Sequence, residues 1–119
     1  MKKLFALALC MALVGCAEKK PLTPEEQWKG YCTSIGNAGR SIMLDRQNGI
    51  THKEALDYAN KVEDETTKTF ILAALKEVYA MPEAELKDDV EARRESFKQK
   101  LIEQCIQTPH DGLPDYKQF

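Results

Sequence analysis

Apolar positions recur every three or four residues along most of the chain, which is the spacing of one face of an α-helix. Four such segments are joined by short polar or proline- and glycine-containing connections, and none shows the alternation of a strand. The pattern therefore predicts an all-α fold, a small four-helix bundle-like domain over residues 24–106. Residues 107–119 contain two prolines and a glycine and are predicted to form an irregular C-terminal tail.

The first predicted helix begins at a capping box of Thr23 and Glu26 and ends at Gly49. Its inward-facing stripe comprises Cys32, Ile35, Gly36, Gly39, Ile42, Met43 and Arg46. A glycine inside a helix costs about 1 kcal/mol relative to alanine. We expect Gly36 and Gly39 to allow the last helix to approach closely, with a break in the first helix near Gly36 as the alternative.

The other three helices are predicted from caps and apolar stripes in the same way, over about 52–62, 64–80 and 82–106. The second follows a capping box of Thr51 and Glu54, and Pro82 ends the third, which has the broadest apolar face. Residues 83–86 are either the start of the fourth helix or a separate turn. The stripe of the fourth helix is Val90, Arg94, Phe97, Leu101 and Cys105.

The N-terminal segment differs from the rest because its apolar run, Leu4 to Val14, has no polar face. The run follows two lysines and is much shorter than the roughly 20 residues that a bilayer span requires. These features predict a signal peptide over residues 1–15. The run ends in Leu13-Val14-Gly15-Cys16, which resembles the lipobox of bacterial lipoproteins.

The resemblance implies that the chain is cleaved before Cys16, whose thiol carries diacylglycerol and whose new amine is usually acylated, for example with palmitate. Two or more acyl chains give stable membrane anchoring. Residues 16–23 then form the lipidated cysteine and a short tether, of which six residues reach about 20 Å. Ala17 stands where an aspartate commonly retains a lipoprotein at the inner membrane. The resemblance therefore implies an outer-membrane protein facing the periplasm.

Once Cys10 leaves with the signal peptide and Cys16 carries lipid, Cys32 and Cys105 remain in an oxidising compartment. We expect a disulfide between them, closing a loop of about 70 residues and stabilising the fold by roughly 4 kcal/mol. The alternatives are a metal site or a reactive thiol. Neither cysteine has another cysteine or a histidine within four residues, so the spacing of metal ligands is absent.

Charge and titratable groups indicate no catalytic site. The chain has 17 Lys and Arg against 19 Asp and Glu, a formal charge of −2, which does not favour nucleic-acid binding. His52 and His110 are predicted to be solvated, and neither is paired with a nucleophile motif. The acidic residues 63–65 and 88–89 lack the pattern of a calcium loop and suit helix N-termini. We predict no enzyme activity, no metal and no cofactor.

Four aromatic residues are candidate contacts with a partner. Trp28 and Tyr31 follow the tether and are suited either to a membrane interface or partner surface, or to the core beside Cys105. Tyr116 and Phe119 lie in the predicted tail, where exposed aromatics suit binding.

Arg46 is the fifth candidate, because it lies on the inward stripe of the first helix. It either binds an anionic group or pairs with a carboxylate of the fold, such as Asp57 or Glu63. We favour the structural pairing, since inward charges are usually paired.

The segment from Cys32 to Arg46-Gln47-Asn48-Gly49, with a later cysteine, resembles small two-cysteine exported proteins of unknown function from Gram-negative bacteria and their prophages. That resemblance implies a helical, disulfide-clipped domain and no particular activity. We expect a lipid-anchored envelope protein that binds or inhibits a periplasmic or outer-membrane partner. A passive scaffold lipoprotein is the alternative, and the oligomeric state is open.

Overall fold

The computed structural model describes residues 21–110, and this part of the chain is all-helical without strands. Its helices are α1 (Pro24–Gln47), α2 (His52–Ala59), α3 (Glu65–Ala80), α4 (Glu83–Leu86) and α5 (Val90–Gln107). The all-α prediction is confirmed. Residues 83–86 form a separate turn, so the described range contains five helices where four were predicted. None of these helices combines the length and hydropathy that a bilayer span requires.

The helix α1 begins at the predicted capping box. Thr23 Oγ1 accepts a hydrogen bond from the Glu26 N–H at 3.1 Å, and the Thr23 N–H donates to Glu26 Oε1 at 3.1 Å. The hydrogen bonds from the Thr23 backbone and then its side chain stabilise the Glu26 carboxylate and lower its pKa. The helix continues for 24 residues through Gly36 and Gly39. The alternative of a break near Gly36 is therefore wrong.

The helix α5 runs antiparallel to α1 and is joined to it covalently. The predicted disulfide is present: Cys32 and Cys105 have Cα atoms 5.4 Å apart, and both side chains are fully buried. Trp28 lies one turn before Cys32 in α1, and its Nε1 atom donates to the carbonyl oxygen of Cys105 at 3.0 Å. The start of α1 and the end of α5 thus form one tightly connected end of the domain.

The two glycines of α1 lie directly against α5. A methyl group at Gly36 would overlap the side chain of Ile102 and lie 3.0 Å from the carbonyl oxygen of Lys98. A methyl group at Gly39 would overlap Leu101. The close approach predicted for these glycines is confirmed, and it explains why residues that disfavour helix stand in the middle of α1.

The helix α3 runs parallel to α1. Near their starts the Tyr31 and Thr67 hydroxyl groups share a hydrogen bond of 2.8 Å, and near their ends Arg46 Nη1 donates to the carbonyl oxygen of Val78 at 3.0 Å. The chain between α1 and α3 must therefore return from the level of Arg46 to that of Tyr31, about 22 Å along α1. The helix α2 makes the first part of that return in 8 residues, and residues 60–64 complete it.

The end of α2 differs from the sequence prediction. We predicted α2 to continue to about Val62, but it ends at Ala59, after which the Lys61 and Val62 N–H groups donate to the carbonyl oxygens of Tyr58 and Ala59 at 3.1 Å in tighter turns. Asp64 then caps α3, with its Oδ2 atom accepting from the Thr67 N–H at 3.0 Å. This cap agrees with the N-terminal role predicted for the acidic residues 63–65.

The core lies between α1, α3 and α5. Its fully buried side chains are Trp28, Tyr31, Cys32, Ile35, Met43, Leu75, Val78 and Cys105. The rings of Trp28 and Tyr31 stack at a centroid distance of 5.1 Å, and Phe70 packs on both rings. Aromatic packing therefore fills the core beside the disulfide.

Candidate functional site

The structure assigns Trp28 and Tyr31 to the core. Their exposed fractions are 2% and 0%, and Trp28 donates to the backbone of Cys105. Of the two alternatives, the core beside Cys105 is the one observed, and the surface role is wrong because almost none of either side chain is accessible to a partner or a membrane. Cys16, Tyr116 and Phe119 lie outside the described residues, so their predicted roles stay predictions.

Arg46 has the structural role that we favoured, but its predicted carboxylate partner is wrong. Its guanidinium donates to the carbonyl oxygens of Val78 at 3.0 Å and Met81 at 3.2 Å, and it lies 4.9 Å from the ring centre of Tyr79. The last carbonyls of a helix have no partners within it and carry its negative dipole end. The end of α3 therefore takes the place of Asp57 or Glu63.

His52 is exposed, as predicted, whereas His110 is half-buried, and both imidazole rings stack on an aromatic side chain. His52 stacks on Tyr79 at a centroid distance of 4.8 Å, and His110 stacks on Trp28 at 4.5 Å.

Burial raises the pKa of Tyr79, and the charge of Arg46 opposes that rise. Residues 21–110 contain no group of three His, Cys, Asp or Glu side chains placed to hold a metal ion.

The first candidate surface is an apolar groove, which we call the α2 groove. Its floor is Ile71 and Leu75 of α3, and its walls are Ile42 and Asp45 of α1 on one side and Ala55, Tyr58, Ala59 and Val62 on the other. The groove has a volume of about 200 Å³. It exists because α2 packs against α3 and makes few contacts with α1.

Tyr58 stands at the rim of the α2 groove with 69% of its surface exposed. The other large exposed apolar residues of the described chain are Leu22, at 53%, and Ile106, at 40%. Leu22 and Ile106 are aliphatic and lie at the disulfide end. Tyr58 is therefore the one large aromatic hydrophobic residue that is exposed among residues 21–110. The ammonium of Lys61 lies 5.4 Å from the Tyr58 ring centre, which leaves most of the ring open.

Sequence reasoning missed this groove although a signal for it was present. Ala55, Tyr58, Ala59 and Val62 recur at the spacing of one helix face. We assigned that face to the core through Leu56, Ala59 and Val62, because a periodic stripe normally contacts a neighbouring helix. The stripe could not show that α2 leaves α1 uncovered.

The second surface is a polar cleft at the opposite end from the disulfide, which we call the α4 cleft. It has a volume of about 410 Å³ and lies among the end of α1, the turn α4 and the start of α5. Arg46, Lys87 and Arg94 contribute three cationic groups to it, and Glu83 contributes one carboxylate. Leu86 and Val90 form its apolar wall.

The α4 cleft is organised by side chains that cross between helices. Arg94 Nε donates to Gln47 Oε1 at 2.8 Å, and Arg94 Nη1 donates to Glu91 Oε2 at 2.8 Å. Gln47 Nε2 donates to the carbonyl oxygen of Val90 at 3.4 Å. These bonds connect the end of α1 to the first turn of α5 and give the cleft a defined wall.

The chain was compared with protein-family models, curated proteins and solved structures, and it matched none of them.

Proposed function

We propose that the chain is a lipid-anchored protein of a bacterial outer membrane whose helical domain binds an envelope protein through the α2 groove, without catalysing a reaction. The observation that carries the binding role is Tyr58, a largely exposed aromatic at the rim of an apolar groove. Tyrosine is enriched among the residues that contribute most to protein–protein binding. A groove beside such a residue accepts an apolar side chain of the partner.

The direction of α1 supports a partner in the periplasm. The tether enters at Thr23, whereas the groove lies beside Ile42 and Asp45, close to the other end of the helix. At 1.5 Å per residue, Ile42 lies roughly 25 Å along the axis from the first turn of α1. If the lipid is on Cys16 and α1 points away from the bilayer, the groove lies on the periplasmic side of the domain, where it meets proteins rather than lipid.

The dimensions of the groove indicate what its occupant contributes. A volume of about 200 Å³ accommodates one or two apolar side chains. A stable protein interface buries about 800 Å² on each partner, so the groove receives the anchoring side chains of a larger contact. The chain's own residues 111–119 begin at the opposite end, where His110 stacks on Trp28. Their nine residues reach about 30 Å when fully extended, and the distance along α1 from Trp28 to Ile42 is about 21 Å, so filling the groove would take most of that length.

We expect Cys16→Ser to abolish incorporation of radiolabelled palmitate and to remove the protein from the outer-membrane fraction. The reason is that the serine hydroxyl is a poor nucleophile toward the lipid donor, so no acyl chains are attached. Membrane fractionation with labelling measures both effects, and Cys10→Ser provides a control that removes a cysteine outside the disulfide and outside Leu13-Val14-Gly15-Cys16. Palmitate labelling of Cys16→Ser equal to the unmodified chain would reject the lipid anchor.

The groove is tested with a photo-crosslinking amino acid at position 58 in intact cells. We expect a discrete crosslinked product with another envelope protein, lost when Ala55→Phe fills the groove. The same amino acid at Glu103, an exposed position on α5, is the control and should give no such product. A product containing two copies of the chain would support the scaffold alternative, and a product unaffected by Ala55→Phe would reject the groove as the site.

A further inference from the structure

Two cationic groups of the α4 cleft have no carboxylate partner within residues 21–110. Arg94 is paired with Glu91, and Arg40 is paired with Glu91 and Glu95. Neither Arg46 nor Lys87 forms a salt bridge in this part of the chain. Arg46 is held instead by the carbonyl oxygens of Val78 and Met81 and by the Tyr79 ring, so no anion within residues 21–110 neutralises its charge.

The hydrogen bonds of Arg46 leave part of its capacity for a ligand. A guanidinium carries five N–H donors in a planar fork. Nη1 and Nη2 each donate to one carbonyl of the α3 terminus, which orients the fork while the side chain lines the cleft. Lys87, which follows α4, is exposed and adds a second positive charge to the cleft. The two groups approach one space from different elements.

The rest of the lining indicates the class of ligand. Val90 and the small exposed part of Leu86 place apolar surface beside the cations, so the cleft suits a molecule with a charged end and an aliphatic part. Its volume of about 410 Å³ is within the range of small-molecule sites and is far larger than an inorganic anion needs. Glu83 at the rim disfavours a ligand with several negative charges.

We propose that the α4 cleft binds a small organic carboxylate, with its carboxylate between Arg46 and Lys87 and its aliphatic part against Leu86 and Val90. With Nη1 and Nη2 each donating once to the end of α3, three of the five N–H groups of Arg46 remain to donate to a carboxylate. The free end of a peptide with an aliphatic last residue has this chemistry. The site is separate from the α2 groove and does not depend on the lipid anchor.

The test is titration of the purified full chain, in non-ionic detergent, with N-acetyl-L-leucine, followed by amide resonances in NMR. We expect saturable shifts confined to residues 46–49 and 86–90, with a dissociation constant in the millimolar range. N-acetyl-L-leucinamide has the same shape without the charge and should cause no such shifts. Inorganic phosphate tests charge alone and should bind more weakly because it does not use the apolar wall.

Variants separate the cleft from general surface charge. Lys87→Gln removes an exposed cation and is expected to weaken N-acetyl-L-leucine binding about three- to fivefold, the range of a partly screened charge contact. Lys53→Gln makes the same change on α2, outside the cleft, and should leave binding unchanged. Equal binding of the amide, equal or tighter binding of phosphate, or equal affinities of Lys87→Gln and the unmodified chain would each overturn the proposal.

Discussion

Replacing both disulfide cysteines, Cys32→Ala with Cys105→Ala, is expected to lower the free energy of unfolding by roughly 4 kcal/mol. The bond links residues 73 positions apart, so its removal frees a long loop in the unfolded chain. Small domains have a total stability of about 5–15 kcal/mol, so this loss is a large fraction of the whole. Urea unfolding followed by the helical circular dichroism signal measures it.

The position of the bond makes compensation by other contacts difficult. Both sulfur atoms are fully buried beside Trp28, so the double variant also loses packing contacts in the core. Alanine is the appropriate replacement because serine would add two buried hydroxyl groups. The unmodified chain unfolded in reductant is the control and should approach the variant. A difference below about 1 kcal/mol between the variant and the oxidised chain would contradict the entropic account.

Gly36→Val is expected to destabilise the domain by roughly 2 kcal/mol, because added groups in a close-packed interface force the helices apart. The new Cβ would overlap the γ-carbon of Ile102, a β-branched residue with restricted rotamers, and would approach the carbonyl oxygen of Lys98. Neither of these atoms can move without the α5 backbone. The improved helix propensity of valine over glycine offsets only a few tenths of a kcal/mol.

Asn37→Val is the matched control for Gly36→Val. Position 37 belongs to the same turn of α1 but is exposed, so the same side chain meets solvent instead of α5. Substitutions at such surface positions usually change stability by less than about 0.5 kcal/mol. Urea midpoints of the two variants give the comparison directly. Equal midpoints would mean that α5 can move away from α1 at no cost and would contradict the tight crossing.

The local features of the fold were predictable because their signals lie within a few residues of one another. The capping box of Thr23 and Glu26 and the stop at Pro82 both act through the adjacent backbone. The glycines of α1 and the cysteine pair also led to the correct packing partner for α1. Glycine inside a helix lowers the stability of that helix. Two glycines on the face of Cys32 therefore indicated that another helix packs closely against this face.

Predictions about side-chain partners were less successful. Arg46 was expected to meet a carboxylate, yet it binds carbonyl oxygens whose availability depends on where α3 ends in space. Trp28 and Tyr31 fitted a membrane-facing end or the core equally well by sequence, and only their packing against Phe70 and Cys105 decided between them. Partner choice depends on distances between segments far apart in the chain, which periodicity does not encode.

Neither candidate surface was visible in the sequence as a surface. The α2 groove exists because α2 is short and returns along α3, leaving one side of α1 uncovered. The α4 cleft exists because residues 83–86 form a separate turn, and Lys87 after it lines the cleft together with Arg46. Both surfaces are formed by residues from separate helices. The periodicity within one helix does not show how far that helix lies from its neighbours.

The sequence by itself determined the all-helical fold, the start of α1 at Thr23, the two close-packed glycines and the cysteine pair, since each follows from local backbone energetics or from residue chemistry. Only the tertiary structure decided that the aromatic residues after Thr23 are buried, that Arg46 is bound by the end of α3, and that Tyr58 borders an open groove. The reason is physical: burial and partner choice are set by how whole helices pack around a common core, which sums contacts from every part of the chain.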